Sequence, residues 1–235
     1  QTELQEALVQ AKAANAAKTT FLNNMSHDIR TPINGIIGML TIIRKNEDDH
    51  ARVRDCLHKI ELSSQLLLSL VNDVLDMAQL ENGTVVLRRE SMNLDEVCGS
   101  ITNSVLFQAE AAGLTVTGEH DDFSGIYVRS SALHLKKILM NLFTNCVKYN
   151  KPGGSIHMQM HMLEQTDEKI TCQFIIEDTG LGMSEDFIKN HLFKPFEQAD
   201  ESSRSSYMGT GLGMSIVQQL VEQMGGTISV ESKLG

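Results

Sequence analysis

One histidine stands where its imidazole could act as a nucleophile. His27 lies in the segment FLNNMSHDIRTPINGIIGML, directly before Asp28 and four residues before Thr31. A neutral imidazole is a competent nucleophile, and an adjacent carboxylate can hold or deprotonate it. Pro32 lacks an N–H and clashes with the Asp28 carbonyl, so we expect the helix to bend there and leave a carbonyl free. A helical histidine considered alone is more often packed or solvated, so its neighbours are what indicate chemistry.

A second group of reactive side chains follows on another helix. The segment LMNLFTNCVKYN places Asn141 and Asn145 at i and i+4, on one helix face with Lys148 close by. An amide oxygen can ligate Mg²⁺, a lysine can pair with a phosphate, and Tyr149 can cover an adenine ring. Without further motifs, a plain solvated helix face would explain the same residues.

Two glycine-containing segments could approach a nucleotide through their backbones. In EDTGLGM, Asp178 can accept a hydrogen bond from the adenine amino group, which would discriminate against guanine. Gly180 and Gly182 would let the backbone approach the ring without a Cβ clash. The alternative interpretation of this segment is an ordinary tight turn.

The second of these segments, GTGLGM, opens a predicted helix. Free N–H groups at a helix start can bind phosphate, although a lone glycine loop is weak support for such a site. No Gly-Lys-Ser/Thr follows and no strand leads in, so the segment is neither a P-loop nor a dinucleotide fingerprint. Residues 202–208, just upstream, are polar and are predicted to form a mobile lid. The candidate binding residues in this loop are Gly209, Thr210, Gly211, Leu212 and Gly213.

The elements that must position these groups fall into two parts. Residues 1 to about 82 are predicted to be helical, with a polar turn at residues 46–49 between two long helices. The second helix, from about Asp49 to Leu80, carries an apolar heptad pattern that two helices alone cannot bury. We therefore expect a helical hairpin that forms a four-helix bundle as a dimer. The predicted heptad positions are Leu57, Ile60, Ser64, Leu67, Val71, Val74 and Ala78, widened by Leu68 and Leu75.

Residues 83–235 mix helices with strands and predict an α+β two-layer sandwich, not a doubly wound parallel sheet. Residues 155–163 and 169–177 alternate apolar and polar side chains and should pair as a hairpin. We also predict strands at 84–89, 113–118, 126–128 and 227–231, and helices at 94–112, 131–149, 184–191 and 212–224. Gly83 is predicted to cap the preceding helix.

Composition excludes several classes of protein. The net charge of -10 argues against nucleic acid or an anionic membrane as the main partner. No apolar run approaches the ~20 residues that span a bilayer, and no signal peptide follows Gln1. The four cysteines lack metal-ligand spacing, and we expect reduced thiols. The chain is predicted to be a cytoplasmic piece of a longer protein, with membrane anchoring of that protein left open.

Taken together, these segments resemble the catalytic core of sensor histidine kinases. SHDIRTPINGIIGM is similar to the H-box of their dimerisation and phosphotransfer domain. The later segments resemble, in order, the ATP-binding boxes of the GHKL ATPases, which include gyrase, Hsp90 and MutL. LFKPF, at residues 192–196, resembles the F-box. One departure is Lys137, where the family often has glutamine.

This resemblance implies ATP-dependent autophosphorylation of His27, with Asp28 assisting proton removal. Thr31 would position a water or the phosphoryl group when the protein dephosphorylates its partner. The phosphoryl group would pass to an aspartate of a response-regulator receiver domain, either a separate protein or one fused downstream in a hybrid kinase. The resemblance also implies a homodimer and divides the chain into a phosphotransfer domain, 1–82, and an ATP-binding domain, 83–235.

For the nucleotide, the resemblance makes Asn145 the Mg²⁺ ligand and Asn141 its supporting polar contact. Arg204, in the predicted lid, would meet the γ-phosphate, although a solvated loop arginine explains it equally well. Two other classes of protein remain alternatives: a GHKL ATPase that drives a clamp, and a non-catalytic dimerisation module. The H-box argues against the first, and the intact Asn145, Asp178 and glycine set argues against the second.

Overall fold

The protein divides into two compact units. The computed structural model describes residues 2–81, 87–199 and 211–235. The units comprise residues 1–78 and 79–235. Within the described ranges, no helix is both long and apolar enough to cross a membrane.

The first unit is a helical hairpin, as the sequence predicts. Helix α1 spans Thr2–Lys45 and helix α2 spans His50–Glu81. Between them, the Asn46 side chain donates a hydrogen bond to the Ile42 carbonyl at 2.8 Å and so satisfies one of the free carbonyls at the end of α1. Helix α1 continues through Pro32, so the proline does not end it.

Several predicted heptad residues of α2 are exposed in the single hairpin, as a face too wide for two helices requires. A Cβ placed on Gly35 would lie 3.7 Å from the Ser63 hydroxyl, so the two helices approach each other at small residues. Leu57 and Val71, both predicted seam positions, are exposed, and Leu68 is 64% exposed. Both sides of this wide face are apolar, so periodicity alone cannot say which side meets α1. The buried α2 residues are Cys56, Leu70, Met77 and Leu80.

The second unit contains a two-stranded and a three-stranded sheet. The strands are β1 Glu90–Asn93, β2 Thr115–His120, β3 Tyr127–Ser130, β4 Ser155–Gln165 and β5 Ile170–Asp178. Strand β1 pairs antiparallel with β3. In the larger sheet, β2 pairs parallel with β4, and β4 pairs antiparallel with β5, which confirms the predicted hairpin. The sheet is therefore mixed, with order β2-β4-β5.

The helices of this unit supply the other side of its hydrophobic core. They are α3 Leu94–Ala111, α4 Ala132–Lys148, α5 Glu185–Asn190 and α6 Gly213–Gln223. Residues from α3 and α4 pack with alternate residues of β4, because every second side chain of a strand points to the same face. The resulting core includes Ile101, Val105, Leu139, Phe143, Ile156 and Met160.

Two predicted strands differ from the structure. Residues 87–89 of the strand predicted at 84–89 are not strand, and the rest of that prediction and the Gly83 cap lie outside the described residues. The first described strand is β1, whose position is fixed by its pairing with β3. Residues 227–231 are also not strand. Alternating side chains favour a strand, but a strand forms only where a second strand accepts its hydrogen bonds.

The start of α3 provides a test of local stability. Asn93 caps the helix, because its side-chain Oδ1 accepts the N–H groups of Asp95 and Glu96 at 3.1 and 3.4 Å. We expect Asn93→Ala to lower the free energy of unfolding by about 1 kcal/mol. Urea denaturation followed by circular dichroism would measure this loss. Asn103→Ala, in the same helix, is the control, and equal stability of the two variants would contradict the cap.

Candidate active site

His27 presents a held but accessible imidazole. Its side chain is 78% exposed, and its Nδ1 lies 3.2 Å from the Asp28 Oδ1. A carboxylate beside Nδ1 favours the tautomer that carries its proton there, which leaves the lone pair on Nε2. The Nε2 atom is therefore the nucleophilic nitrogen.

The main chain after His27 accepts one side-chain hydrogen bond and lacks one of the usual helical hydrogen bonds. The Thr31 hydroxyl donates to the His27 carbonyl at 3.1 Å, so it stays on the histidine's helix face. Pro32 has no N–H for the carbonyl of Asp28, four residues back. The helical turn after His27 thus carries one side-chain hydrogen bond, from Thr31, and lacks one main-chain hydrogen bond, at Pro32.

In the second unit, Asn141 faces the start of α6. A Cβ on Gly213 would lie 3.7 Å from the Asn141 Oδ1, which brings together two segments that are 72 positions apart in the chain. The Asn141 Nδ2 is buried, and among the described residues it has no hydrogen-bond partner. A buried donor of this kind calls for a partner, because leaving it unpaired costs free energy. Asn145, one turn further along α4, is half-buried.

The end of α4 joins the cationic and aromatic side chains. The Lys148 Nζ donates to the Tyr149 hydroxyl at 3.0 Å and lies 4.7 Å from the centre of that ring. Lysine and tyrosine therefore form one unit at the C-terminal end of α4. The predicted contacts of Lys148 with a phosphate and of Tyr149 with adenine remain predictions.

The loop after β5 packs directly on the end of α4. The Asp178 Oδ1 accepts the N–H of Gly180 at 2.8 Å, and the N–H of Leu181 donates to the Tyr149 carbonyl at 3.0 Å. A Cβ on Gly180 would lie 2.5 Å from that carbonyl oxygen, and a Cβ on Gly182 would lie 1.8 Å from the Lys233 carbonyl. Both glycines are therefore required by close backbone approach. These contacts place Asp178 beside α4.

A buried polar network behind this loop was missed by the sequence analysis. Asn150 is only 8% exposed. Its Oδ1 accepts hydrogen bonds from the Lys151 N–H at 3.0 Å and the Thr179 hydroxyl at 3.2 Å, and its Nδ2 donates to the Ser155 carbonyl at 3.2 Å. The network ties the end of α4 to the starts of β4 and of the Asp178 loop. The sequence showed only a Pro-Gly-Gly turn after Asn150, and no pattern marks which turn residue becomes buried.

Cys146 is a second residue that the sequence left without a role in the site. Burial raises the pKa of its thiol, and the nearby Asp178 carboxylate, to which the thiol hydrogen-bonds, raises the pKa further. The thiol therefore stays protonated and can donate to Asp178. All four cysteines are free, as predicted.

The glycine loop begins α6 without a side-chain cap. Gly211 has φ +66, and a Cβ there would lie 2.7 Å from the Phe196 Cα. The N-cap of α6 is Leu212, whose apolar side chain has no atom that could cap the helix. Phosphate binding at this helix start stays a prediction. The Leu212 side chain is fully buried, so it anchors the loop by packing. Arg204, Gly209, Thr210 and the lid at 202–208 lie outside the described residues.

These groups fit a nucleotide. The site combines an amide donor at Asn141 without a partner in the described ranges, the start of α6 beside it, and glycines at close approach to neighbouring backbone. Within the described ranges, no cluster of three His, Cys, Asp or Glu side chains could hold a metal. The Mg²⁺ ligand predicted from the sequence, the Asn145 amide oxygen, stays a prediction; Mg²⁺ commonly keeps several waters and few protein ligands. Fold and site together define an ATPase-type unit preceded by a histidine-bearing helical hairpin.

Comparisons with known proteins agree with this description. Residues 17–83 match the His Kinase A (phospho-acceptor) domain, and residues 130–235 match the Histidine kinase-, DNA gyrase B-, and HSP90-like ATPase. The chain therefore belongs to the histidine kinase family and comprises its catalytic core.

The matches to individual relatives cover nearly the whole of this chain. The sensory/regulatory protein RpfC of Xanthomonas campestris is 37% identical over 225 residues, 94% of this chain and 30% of RpfC. The signal transduction histidine-protein kinase BarA of Escherichia coli K12 is 35% identical over 231 residues, 98% of this chain and 25% of BarA. The chain thus spans less than a third of these relatives. The solved complex of histidine kinase ThkA with response regulator protein TrrA shares the fold, with a TM-score of 0.64, 20% identity and coverage of 92% of this chain and 57% of ThkA.

Proposed function

We propose that this chain transfers the γ-phosphoryl group of ATP to its own His27 and then to an aspartate of a response-regulator receiver domain. The observation that carries this proposal is the 78% exposed imidazole whose Nδ1 is held by Asp28. Residues 1–82 would act as the dimerisation and phosphotransfer domain, and residues 83–235 as the ATP-binding domain.

The chemistry follows from the tautomer that Asp28 favours. The lone pair of the His27 Nε2 forms the new N–P bond while the bond between the γ-phosphorus and its bridging oxygen breaks, and ADP leaves. The Asp28 carboxylate accepts the Nδ1 proton, so the phosphorylated ring becomes neutral. Most of the acceleration should come from positioning and charge neutralisation.

The second unit supplies the nucleotide contacts. Asp178 accepts a hydrogen bond from the adenine amino group. The Gly180 N–H and the Cys146 thiol hold the Asp178 carboxylate in place. The buried Nδ2 of Asn141 donates a hydrogen bond to the nucleotide, and the start of α6 binds phosphate oxygens. Mg²⁺, when bound at Asn145, neutralises the charge of the phosphates. Lys148 pairs with a phosphate, and Tyr149 covers the adenine. For both contacts to form, the Lys148 ammonium must leave the Tyr149 ring and hydroxyl.

A homodimer is supported by the apolar face that the hairpin leaves exposed. The exposed apolar residues are spaced by four and three positions on α1 and by eleven and seven positions on α2, spacings that keep them on one face of each helix. A second hairpin would bury them and form a four-helix bundle. The face includes Ile33, Ile37, Leu40, Leu57, Leu68 and Leu75.

A response-regulator partner is supported by the ThkA complex, whose kinase shares this fold, and by the match to a phospho-acceptor domain. The labile N–P bond makes His27 a donor as well as an acceptor. In a separate hydrolytic reaction, Thr31 would position the water that attacks the partner's phosphoaspartate and releases phosphate.

Thr31 can be tested separately from His27. We expect Thr31→Ala to leave autophosphorylation within about threefold of wild type but to slow dephosphorylation of the regulator by at least about tenfold, because positioning a water matters only in the second reaction. The rate at which this chain gains label from γ-labelled ATP measures the first reaction, and the rate at which the labelled regulator loses it measures the second. Thr41→Ala is a matched control, since Thr41 makes the same bond to a carbonyl four residues back, at 2.9 Å. Equal loss of the two activities would remove the water-positioning role.

The direct test of the proposed function is incubation with γ-labelled ATP, followed by mapping of the labelled residue. Acid-labile label on His27 is the expected result. ATP turnover with no protein-bound label would instead indicate a clamp-type ATPase.

A further inference from the structure

Strand β2 leaves one row of main-chain groups open. The N–H of Thr115 donates to the Gly154 carbonyl and the N–H of Asp121 donates to the Met160 carbonyl, each at 3.0 Å. In a parallel ladder, alternate residues direct both main-chain groups to the same neighbour, so the odd-numbered residues of β2 pair with β4. The even-numbered residues therefore direct their N–H and C=O groups away from β4. They are Val116, Gly118 and His120.

This edge carries little of the usual protection, since its one acidic side chain is Glu119. Within the described part of the chain, β2 pairs with β4 alone. Its sequence, TVTGEH, has no lysine or proline, and its register with β4 is uninterrupted. Proteins commonly blunt exposed edges with such residues or with bulges. The β2 edge can thus accept another strand.

A cavity of about 350 Å³ lies beside the edge, between α3 and the sheet. A Cβ placed on Gly99 of α3 would meet nothing within 4 Å, so space is open at this position. Leu106, further along α3, lines the cavity and is 42% exposed. The apolar lining includes Ile101, Val116, Phe123, Met158 and Phe174.

The charge of the cavity selects among occupants. Its lining contains Asp95, Glu119 and His120 and neither lysine nor arginine. The Glu119 side chain lies on the face of the sheet away from α3, where its Oε1 accepts a hydrogen bond from the Gln159 Nε2 at 2.6 Å, so Asp95 is the carboxylate on the cavity side. A second copy of β2 would bring two acidic rims together, which is unfavourable. A segment with basic residues would instead meet opposite charge.

We propose that the β2 edge and the adjoining cavity bind an extended, basic peptide segment of a partner protein. The segment adds a strand to the sheet through the open main-chain groups of β2, places an apolar side chain in the cavity, and sets lysine or arginine beside Asp95 and Glu119. Main-chain bonds supply affinity and the cavity supplies specificity in this binding mode. The proposal is independent of the kinase function.

The test uses the 235-residue chain and the acetylated, amidated peptide Lys-Val-Thr-Leu-Thr-Val-Lys. On binding, the amides of Val116, Gly118 and His120 should gain protection from hydrogen exchange. The amides of Thr117 and Glu119, already paired with β4, should change little. This alternation distinguishes strand addition from binding at the surface. A peptide N-methylated at alternate amides should not bind, because it cannot form the ladder.

Gly99→Leu should weaken peptide binding by about tenfold or more, because the new side chain occupies the mouth of the cavity. Leucine favours a helix over glycine, so the variant should fold. Ser100→Leu, the next position on α3 and outside the lining, is the control and should bind like wild type. Asp95→Asn with Glu119→Gln should weaken binding and reduce its dependence on salt.

Three outcomes would overturn the proposal. The first is binding without the alternating protection, or with Gly99→Leu unaffected. The second is the same protection without peptide, rising with protein concentration, which would make the occupant a second copy. The third is equal binding of the N-methylated peptide, which would show that the cavity takes an apolar group without strand addition.

Discussion

Replacing His27 by alanine is expected to reduce phosphoryl incorporation from γ-labelled ATP by more than about 1,000-fold, because the variant loses the nucleophile itself. Affinity for Mg·ATP should stay at the wild-type value, since the nucleotide contacts proposed above belong to the second unit. Quantitative labelling and equilibrium binding would measure the two properties in the same preparation.

Two variants sharpen this result. His58→Ala removes another exposed histidine of the same hairpin and should label like wild type. Asp28→Asn should label slowly but measurably, because the amide can still orient Nδ1 but cannot take its proton. Retention of acid-labile label in His27→Ala would refute the assignment. Loss of nucleotide affinity in that variant would mean that the substitution damages more than the nucleophile.

Replacing Asp178 by asparagine is the second change with a large expected effect. The carboxylate accepts the Gly180 N–H and a thiol hydrogen bond and, in our proposal, the adenine amino group. An asparagine can keep one accepting oxygen but offers a donor in place of the other. In the complex this donor would face the adenine amino group with no acceptor, so we expect Mg·ATP affinity to fall by about 100-fold.

Selectivity between nucleotides should change along with affinity. Wild type should prefer ATP to GTP, and Asp178→Asn should lose most of that preference, because guanine carries a carbonyl where adenine carries its amino group. Glu177→Gln, an exposed neighbour on the same strand, is the control and should leave both affinities unchanged. Unchanged ATP affinity in Asp178→Asn would place the adenine elsewhere.

Local sequence patterns predicted the helices and strands better than they predicted which elements pack or pair with one another. The hairpin β4-β5 and the helices around Asn141 and Leu212 were predictable, because alternation and helical periodicity depend on neighbours in sequence. The strand predicted at 227–231 failed for the opposite reason, since strand formation needs a partner that the pattern does not specify. The α2 heptad correctly predicted an apolar face too wide for two helices, but it could not say which half of that face meets α1.

The site shows the same division. The sequence indicated His27, Asp28, Asn145, Asp178 and the glycines, because these chemical groups stand at fixed local spacing. It gave no sign that Asn150 and Cys146 would hold the Asp178 loop against α4. An asparagine in a turn and a cysteine on a helix acquire these roles only when residues some 30 positions away fold against them.

The sequence by itself therefore determined which reactive groups the protein has and which helices and strands carry them. Tertiary structure alone decided which groups meet: Asn141 with Gly213, Gly180 with the Tyr149 carbonyl, and the buried network at Asn150. The physical reason is that spacing along a chain fixes contacts within a turn or a strand, whereas contacts between distant segments depend on how the whole core packs.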